Sequence, residues 1–180
     1  MIYSATVALP DDIPQYSIHQ YLYGYFPQHP RDGLRPFLFR VAGNRCLLVS
    51  RIRPACPHTE ITLEAGRAYP VEALLVPVRK PRDENGKTRE VPMLSNAERR
   101  TWFTAICARF GGQVGFCQWF NRPRVQFQHD AGHLITLQPA QVKAMIFLTD
   151  PVAFTEMLLC GLGRGKAFGY GLLTIAEVMI

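Results

Sequence analysis

The sequence predicts an α+β chain made of two tandem ferredoxin-like units, residues 1–90 and 95–180. Two observations point there. Short alternating apolar runs are interleaved with stretches of helical apolar spacing, and the order repeats: an initial strand or helix, then strands, a helix and a closing strand. A third, the length of 180 residues with 48% hydrophobic side chains, supplies enough chain for two small cores.

Taken in order, "MIYSATVAL" alternates as a strand and is broken between Pro10 and Pro14. "QYSIHQYLYGYF" has helical spacing at Tyr16, Ile18 and Leu22 and is closed by Gly24 and Pro27. "PFLFRVAG" and "RCLLVSRI" read as a hairpin, and "ALLVPVRK" as the strand that closes the first unit. A wholly polar segment, residues 79–90, turns at Asn85-Gly86. "LSNAERRTWFTAICARFGG" carries the capping-box pattern Ser95-x-x-Glu98 and ends at Gly111, which predicts a helix. "VGFCQWF" and "VQFQ" follow as strands, and "HLITLQPAQVKAMIFLTD" as a strand or a pair of them. A helix over "DPVAFTEMLLCGLG" has Asp150 as N-cap and Pro151 at N1, and "YGLLTIAEV" closes the second unit as a strand.

Composition narrows the function classes. No apolar run approaches the roughly 20 residues of a membrane helix, and the start lacks a secretory pattern, so a cytoplasmic chain without a membrane partner is expected. Cys46, Cys56, Cys107, Cys117 and Cys160 are widely spaced without a CxxC pair, the pattern of reduced, mostly buried thiols. His129 and His133 have HxxxH spacing, but Gly132 makes a turn of that segment, so neither a metal nor a cofactor is expected. The net charge of +6 divides equally between residues 1–94 and 95–180, and 16 of the 20 cations are arginine. Arginine's planar fork suits phosphate oxygens, which favours a polyanionic partner.

The stretch "CGLGRGKAFGYGLLTI" packs five glycines and two cations into positions 161–171. A dinucleotide fingerprint requires a strand before its glycines and a helix after them. Here a helix precedes and a strand follows. Lys166 is followed by Ala167 and the glycine spacing is one short, so the stretch is not a P-loop either. A turn that ends a helix is one reading. The other is a loop whose glycines Gly163, Gly165 and Gly169 let backbone approach another chain, with Arg164 and Lys166 as charge, and an RNA backbone fits it.

"GLGRGKAFGYGLLTI" resembles the C-terminal signature of the CRISPR repeat-processing endoribonucleases of the CasE (Cse3) type, G-hydrophobic-G-x-x-K-x-hydrophobic-G-x-G-L-L. "YSIHQYLYGYFPQHPRDGLRPFLFRV", "ALLVPVRKPRDENGKTREVP" and "NAERRTWFTAI" agree with that family in the same order. Tyr23 departs from it, standing where a tryptophan usually follows the leucine. The resemblance implies two ferredoxin-like (RRM-like) domains and an enzyme that cuts the repeat hairpin of a precursor CRISPR RNA without metal. It implies cyclic 2′,3′-phosphate and 5′-OH ends, and an enzyme that remains on the guide RNA beside other subunits of a surveillance complex.

Metal-free cleavage by the RNA's own 2′-OH needs a base, an acid and cations at the phosphate. His19 and Tyr16, three residues apart on one helix face, match the family's catalytic pair. Arg79, Lys80, Arg82, Lys87 and Arg89 match the region such proteins turn toward the RNA stem, whose A-form surface offers chiefly phosphate and 2′-OH. A non-catalytic subunit that holds a guide RNA on the same fold is the alternative.

Overall fold

The structure, a computed structural model, describes residues 1–29, 35–128 and 132–176. Strand β1 (Ile2–Ala8) leads into a 3-10 turn, Gln15–Ser17, that runs directly into helix α1 (Ile18–Leu22) and a second 3-10 turn, Tyr23–Tyr25. The helix expected over this stretch is therefore only five residues of α-helix between two tighter turns. Gly24 and Pro27 deny it further length. Strands β2 (Phe37–Ala42) and β3 (Arg45–Ser50) form the expected hairpin, with Gly43 at φ +62° in its tip, and β4 (Thr59–Ile61) follows. All pairings are antiparallel, in the order β2-β3-β1-β4. This is the ferredoxin order, with residues 51–58, which include Pro54 and Pro57, crossing as coil where a second helix would lie.

The chain continues as β5 (Ala68–Leu75), β6 (Val78–Arg79), β7 (Val91–Pro92) and α2 (Asn96–Arg109). It then forms β8 (Gly112–Asn121), β9 (Val125–Gln128), β10 (Leu134–Leu137), β11 (Ala140–Leu148), α3 (Pro151–Cys160) and β12 (Leu173–Ile175). The second sheet has the order β12-β5-β11-β8, again antiparallel throughout, and here both crossover helices are present. β6 with β7, and β9 with β10, are separate hairpins inserted into this second unit.

One sequence assignment is corrected here. The strand read as closing the first unit begins at Ala68 and belongs to the second sheet, between β12 and β11. The division between the two sheets thus falls between Ile61 and Ala68, where the sequence reading put it at residues 90–95. Its buried residues Tyr69, Val71, Ala73 and Leu75 explain the allegiance: they share a core with Phe103 and Cys107 of α2 and with Phe154, Met157 and Leu158 of α3. Pro70 hid the start of the strand, and it is tolerated because β12 pairs only from Val71 onward.

Capping signals had mixed outcomes. Asp150 accepts hydrogen bonds from the Val152 and Ala153 amides at 3.0 Å, as an N-cap should. Ser95 makes no side-chain cap, and Glu98, the expected other half of the box, pairs with Arg79 at 3.2 Å. Residues 177 and 178, expected to extend β12, lie outside the described residues.

The sheets are not independent. Ile2, Leu38, Val49 and Ile61 of the first join the core of the second, and Arg40 Nη2 on β2 meets Glu72 Oε1 on β5 at 2.5 Å. The opposite face of the first sheet packs Ala5, Val7, Phe39, Cys46 and Leu48 against Ile18 and Leu22, which fixes the face that α1 turns outward.

Candidate active site and nucleic-acid interface

With Ile18 and Leu22 buried, Tyr16 and His19 remain half-buried on the continuous turn that joins the 3-10 segment to α1. The glycine-rich loop lies against that turn. Its 3-10 segment, Lys166–Phe168, contacts α1, and Gln15 Nε2 donates to the Phe168 carbonyl at 2.8 Å across 153 residues of sequence. Phe168 is held from the other side by Phe127 of β9, edge-on at 4.7 Å. Tyr16, His19 and Lys166, separate in sequence, are thereby brought into one neighbourhood.

The loop owes its glycines to the fold. At Gly163, φ is +72° and a β-carbon would stand 2.7 Å from the Val76 carbonyl oxygen. At Gly165 and Gly169 it would meet Tyr170 and Phe39 at 3.1 and 3.2 Å. The space left by those missing side chains is filled by the protein itself. Hydrogen bonds from the Arg164 amide to Val76 and from the Gly171 amide to Leu74, both 3.0 Å, lace the loop to the end of β5. Lys166 is half-buried, its stem running over Gly171, while Arg164 is exposed.

The β6–β7 hairpin carries the other expected cations. Its tip is built locally: Asp83 Oδ1 accepts from the Asn85 and Lys87 amides, and Gly86 takes φ +75°. Arg82 sits opposite Thr88, and Arg82, Lys87 and Arg89 are exposed with no ion pair among the described residues. At the base the pattern changes. Arg79 pairs with Glu98, Lys80 Nζ lies 3.4 Å from Glu90 Oε1, and Arg164 Nη1 lies 3.0 Å from Glu90 Oε2. Glu90 therefore links the hairpin to the glycine loop.

Sequence reasoning missed Gln15, Phe127, Phe168 and Glu90. None of them left a local signal: pairing centred on Asn85-Gly86 would set Glu90 opposite Pro81, and the observed register, Arg79 with Val91 and Arg82 with Thr88, sets it opposite Lys80. Among the described residues no group of three or more His, Cys, Asp or Glu could hold a metal, and His129 lies outside them. Cys46, Cys107 and Cys117 are buried and all five thiols are free, and burial pushes Cys46 and Cys107 up to about 12.

Residues 10–177 match the model of the CRISPR associated protein family. The chain belongs to that family. Among curated members it is 26% identical over 187 residues to the CRISPR system Cascade subunit CasE of Escherichia coli K12, covering 91% of this chain and 92% of that one. The crystal structure of Cas6e from the same organism superposes with a TM-score of 0.73 at 22% identity, covering 97% of this chain and 98% of the other. Thermus thermophilus Cse3, solved with an RNA representing a pre-cleavage complex, gives 0.77 at 16% identity over 97% and 98% of the two chains. The CasE-type resemblance and the tandem ferredoxin-like fold of this CRISPR-associated protein are thus borne out.

Proposed function

We propose that this chain is an endoribonuclease that cleaves the repeat hairpin of precursor CRISPR RNA and stays on the product as a subunit of a surveillance complex. The observation that carries this reading is the junction of α1 with the glycine-rich loop, made by the Gln15–Phe168 hydrogen bond, which joins Tyr16 and His19 to Lys166. A relative named as a Cascade subunit and a solved neighbour named as a CRISPR endoribonuclease bound to RNA support it.

The chemistry needs only what the RNA and these side chains supply. The ribose 2′-oxygen attacks the adjacent phosphorus, so an O2′–P bond forms while the P–O5′ bond breaks. One proton leaves the 2′-OH and one reaches the departing 5′-oxygen. The His19 imidazole, a side chain able both to take and to give a proton, serves one of these transfers, and Tyr16 beside it serves or orients the other. Lys166 meets the charge that builds on the phosphate. The products are a 2′,3′-cyclic phosphate and a 5′-OH. Arg79, Lys80, Arg82, Lys87, Arg89 and Arg164 face the stem as phosphate contacts, and Gly163, Gly165 and Gly169 shape the loop that presents Lys166.

The test uses single-turnover cleavage of a hairpin synthesised to match the small RNA that copurifies with the protein. His19→Ala is expected to slow cleavage by roughly 10²–10⁴-fold while hairpin affinity stays close to wild type. Tyr16→Phe is expected to slow it less. Activity should survive excess EDTA and vanish on a substrate with 2′-deoxyribose at the cut. Undiminished cleavage by His19→Ala removes the assignment of His19, and a wild-type protein that binds the hairpin without cutting it makes the chain an RNA-holding subunit.

A further inference from the structure

We infer that Glu90 is a built-in competitor for RNA phosphate at the junction of the β6–β7 hairpin and the glycine-rich loop, an inference that rests on the RNA-binding reading above. Two cations from different segments converge on this one carboxylate: Lys80 at 3.4 Å and Arg164 at 3.0 Å. Each is the kind of group that binds a phosphate, and Arg164 can do so through its planar fork. The three side chains line an open groove of about 430 Å³ together with Gly163, Trp102 and Arg109, so an RNA strand has access to them.

The ion pairs are half-exposed, with side-chain exposures of 63% and 48% for the cations and 33% for Glu90. Pairs this wet contribute little to stability and exchange partners readily. A phosphate carries the same oxygen chemistry as a carboxylate. It therefore gains Lys80 and Arg164 by turning Glu90 out into solvent, and the cluster as a whole offers the RNA one net positive charge instead of two.

Two consequences are measurable. Removing the carboxylate charge by Glu90→Gln is expected to tighten hairpin binding about two- to fivefold at low salt. It should also steepen the dependence of log K on log salt by roughly 0.7–0.9, the contribution of one additional charge neutralised against phosphate. Glu90→Ala, which cannot accept a hydrogen bond from either cation, should give the same change in slope. Because Glu90 is accessible to solvent, both variants should melt at nearly the wild-type temperature.

Titration of the copurifying hairpin at several salt concentrations, with wild type, Glu90→Gln, Glu90→Ala, Lys80→Ala and Arg164→Ala, separates the outcomes. Tighter binding and a steeper slope in both Glu90 variants support the inference. Unchanged or weaker binding in them, while Lys80→Ala and Arg164→Ala each bind less well, overturns it, since Glu90 would then be a brace that orients the cations. Unchanged binding in the Lys80 and Arg164 variants overturns the placement of RNA at this junction, and the inference with it.

Discussion

The glycine-rich loop and the β6–β7 hairpin are both basic, both begin as candidate RNA contacts, and are built on opposite principles. The loop is held from within: its amides bond to Leu74 and Val76, its glycines pass within contact distance of Val76, Tyr170 and Phe39, and Phe168 is clasped between Gln15 and Phe127. The hairpin beyond its base is held by its own turn, and its exposed cations have no protein partner among the described residues. One region spends its sequence on geometry and the other on charge. Rigidity belongs next to the reacting bond, where misplacement by an ångström is costly. A long, repetitive stem surface needs charge more than exact shape.

This contrast can be broken most sharply at Gly163. An alanine there combines a strained φ with a β-carbon inside contact distance of the Val76 carbonyl. Gly163→Ala is expected to destabilise the fold by about 3 kcal/mol, lowering Tm by roughly 6–12 °C, with cleavage lost alongside. Thermal melting checks it. A variant that melts like wild type would mean the loop has slack that its packing denies.

The hairpin should answer in the opposite way. Replacing Arg82, Lys87 and Arg89 together by alanine should shift stability by no more than about 0.5 kcal/mol. The salt dependence of log K should become shallower by roughly 2 to 3, as three phosphate contacts go. Salt titration together with melting tests this, and a large loss of stability would mean that these cations brace the fold.

The smallest effect is expected where the loop meets the helix. Gln15→Leu removes one hydrogen bond to Phe168, worth about 1 kcal/mol, and deletes none of the side chains proposed to contact phosphate. Single-turnover cleavage should slow about three- to tenfold through a displaced Lys166, with hairpin affinity within about twofold of wild type. Equal losses in rate and affinity would show that the bond supports folding more than alignment.

How much of this was legible follows distance along the chain. Gly43-Asn44 and Asn85-Gly86 announced their hairpins. Asp150-Pro151 announced the start of α3, and the apolar run left open as a strand or a pair resolves into β10 and β11. Ser95-x-x-Glu98 marked the start of α2 correctly, with Ser95 at the N-cap, but the box itself does not close, because a cation outside the helix, Arg79, competes for Glu98. The proposed catalytic pair was named through resemblance to a family, since a histidine and a tyrosine in one short turn carry no unique local signal.

By itself the sequence determined the local conformations, the charge of the hairpin, the position of the glycines and the repeated strand-helix order. These depend on backbone sterics and hydrogen bonds within a few residues, which neighbouring side chains suffice to specify. Only the tertiary structure decided that β5 joins the second sheet, that one core runs through both units, that Phe168 docks on Gln15, and that Glu90 answers Arg164 as well as Lys80. Each of those contacts joins residues far apart in the chain. Their formation balances loop closure against burial and pairing with surfaces that exist only once the rest of the chain has folded.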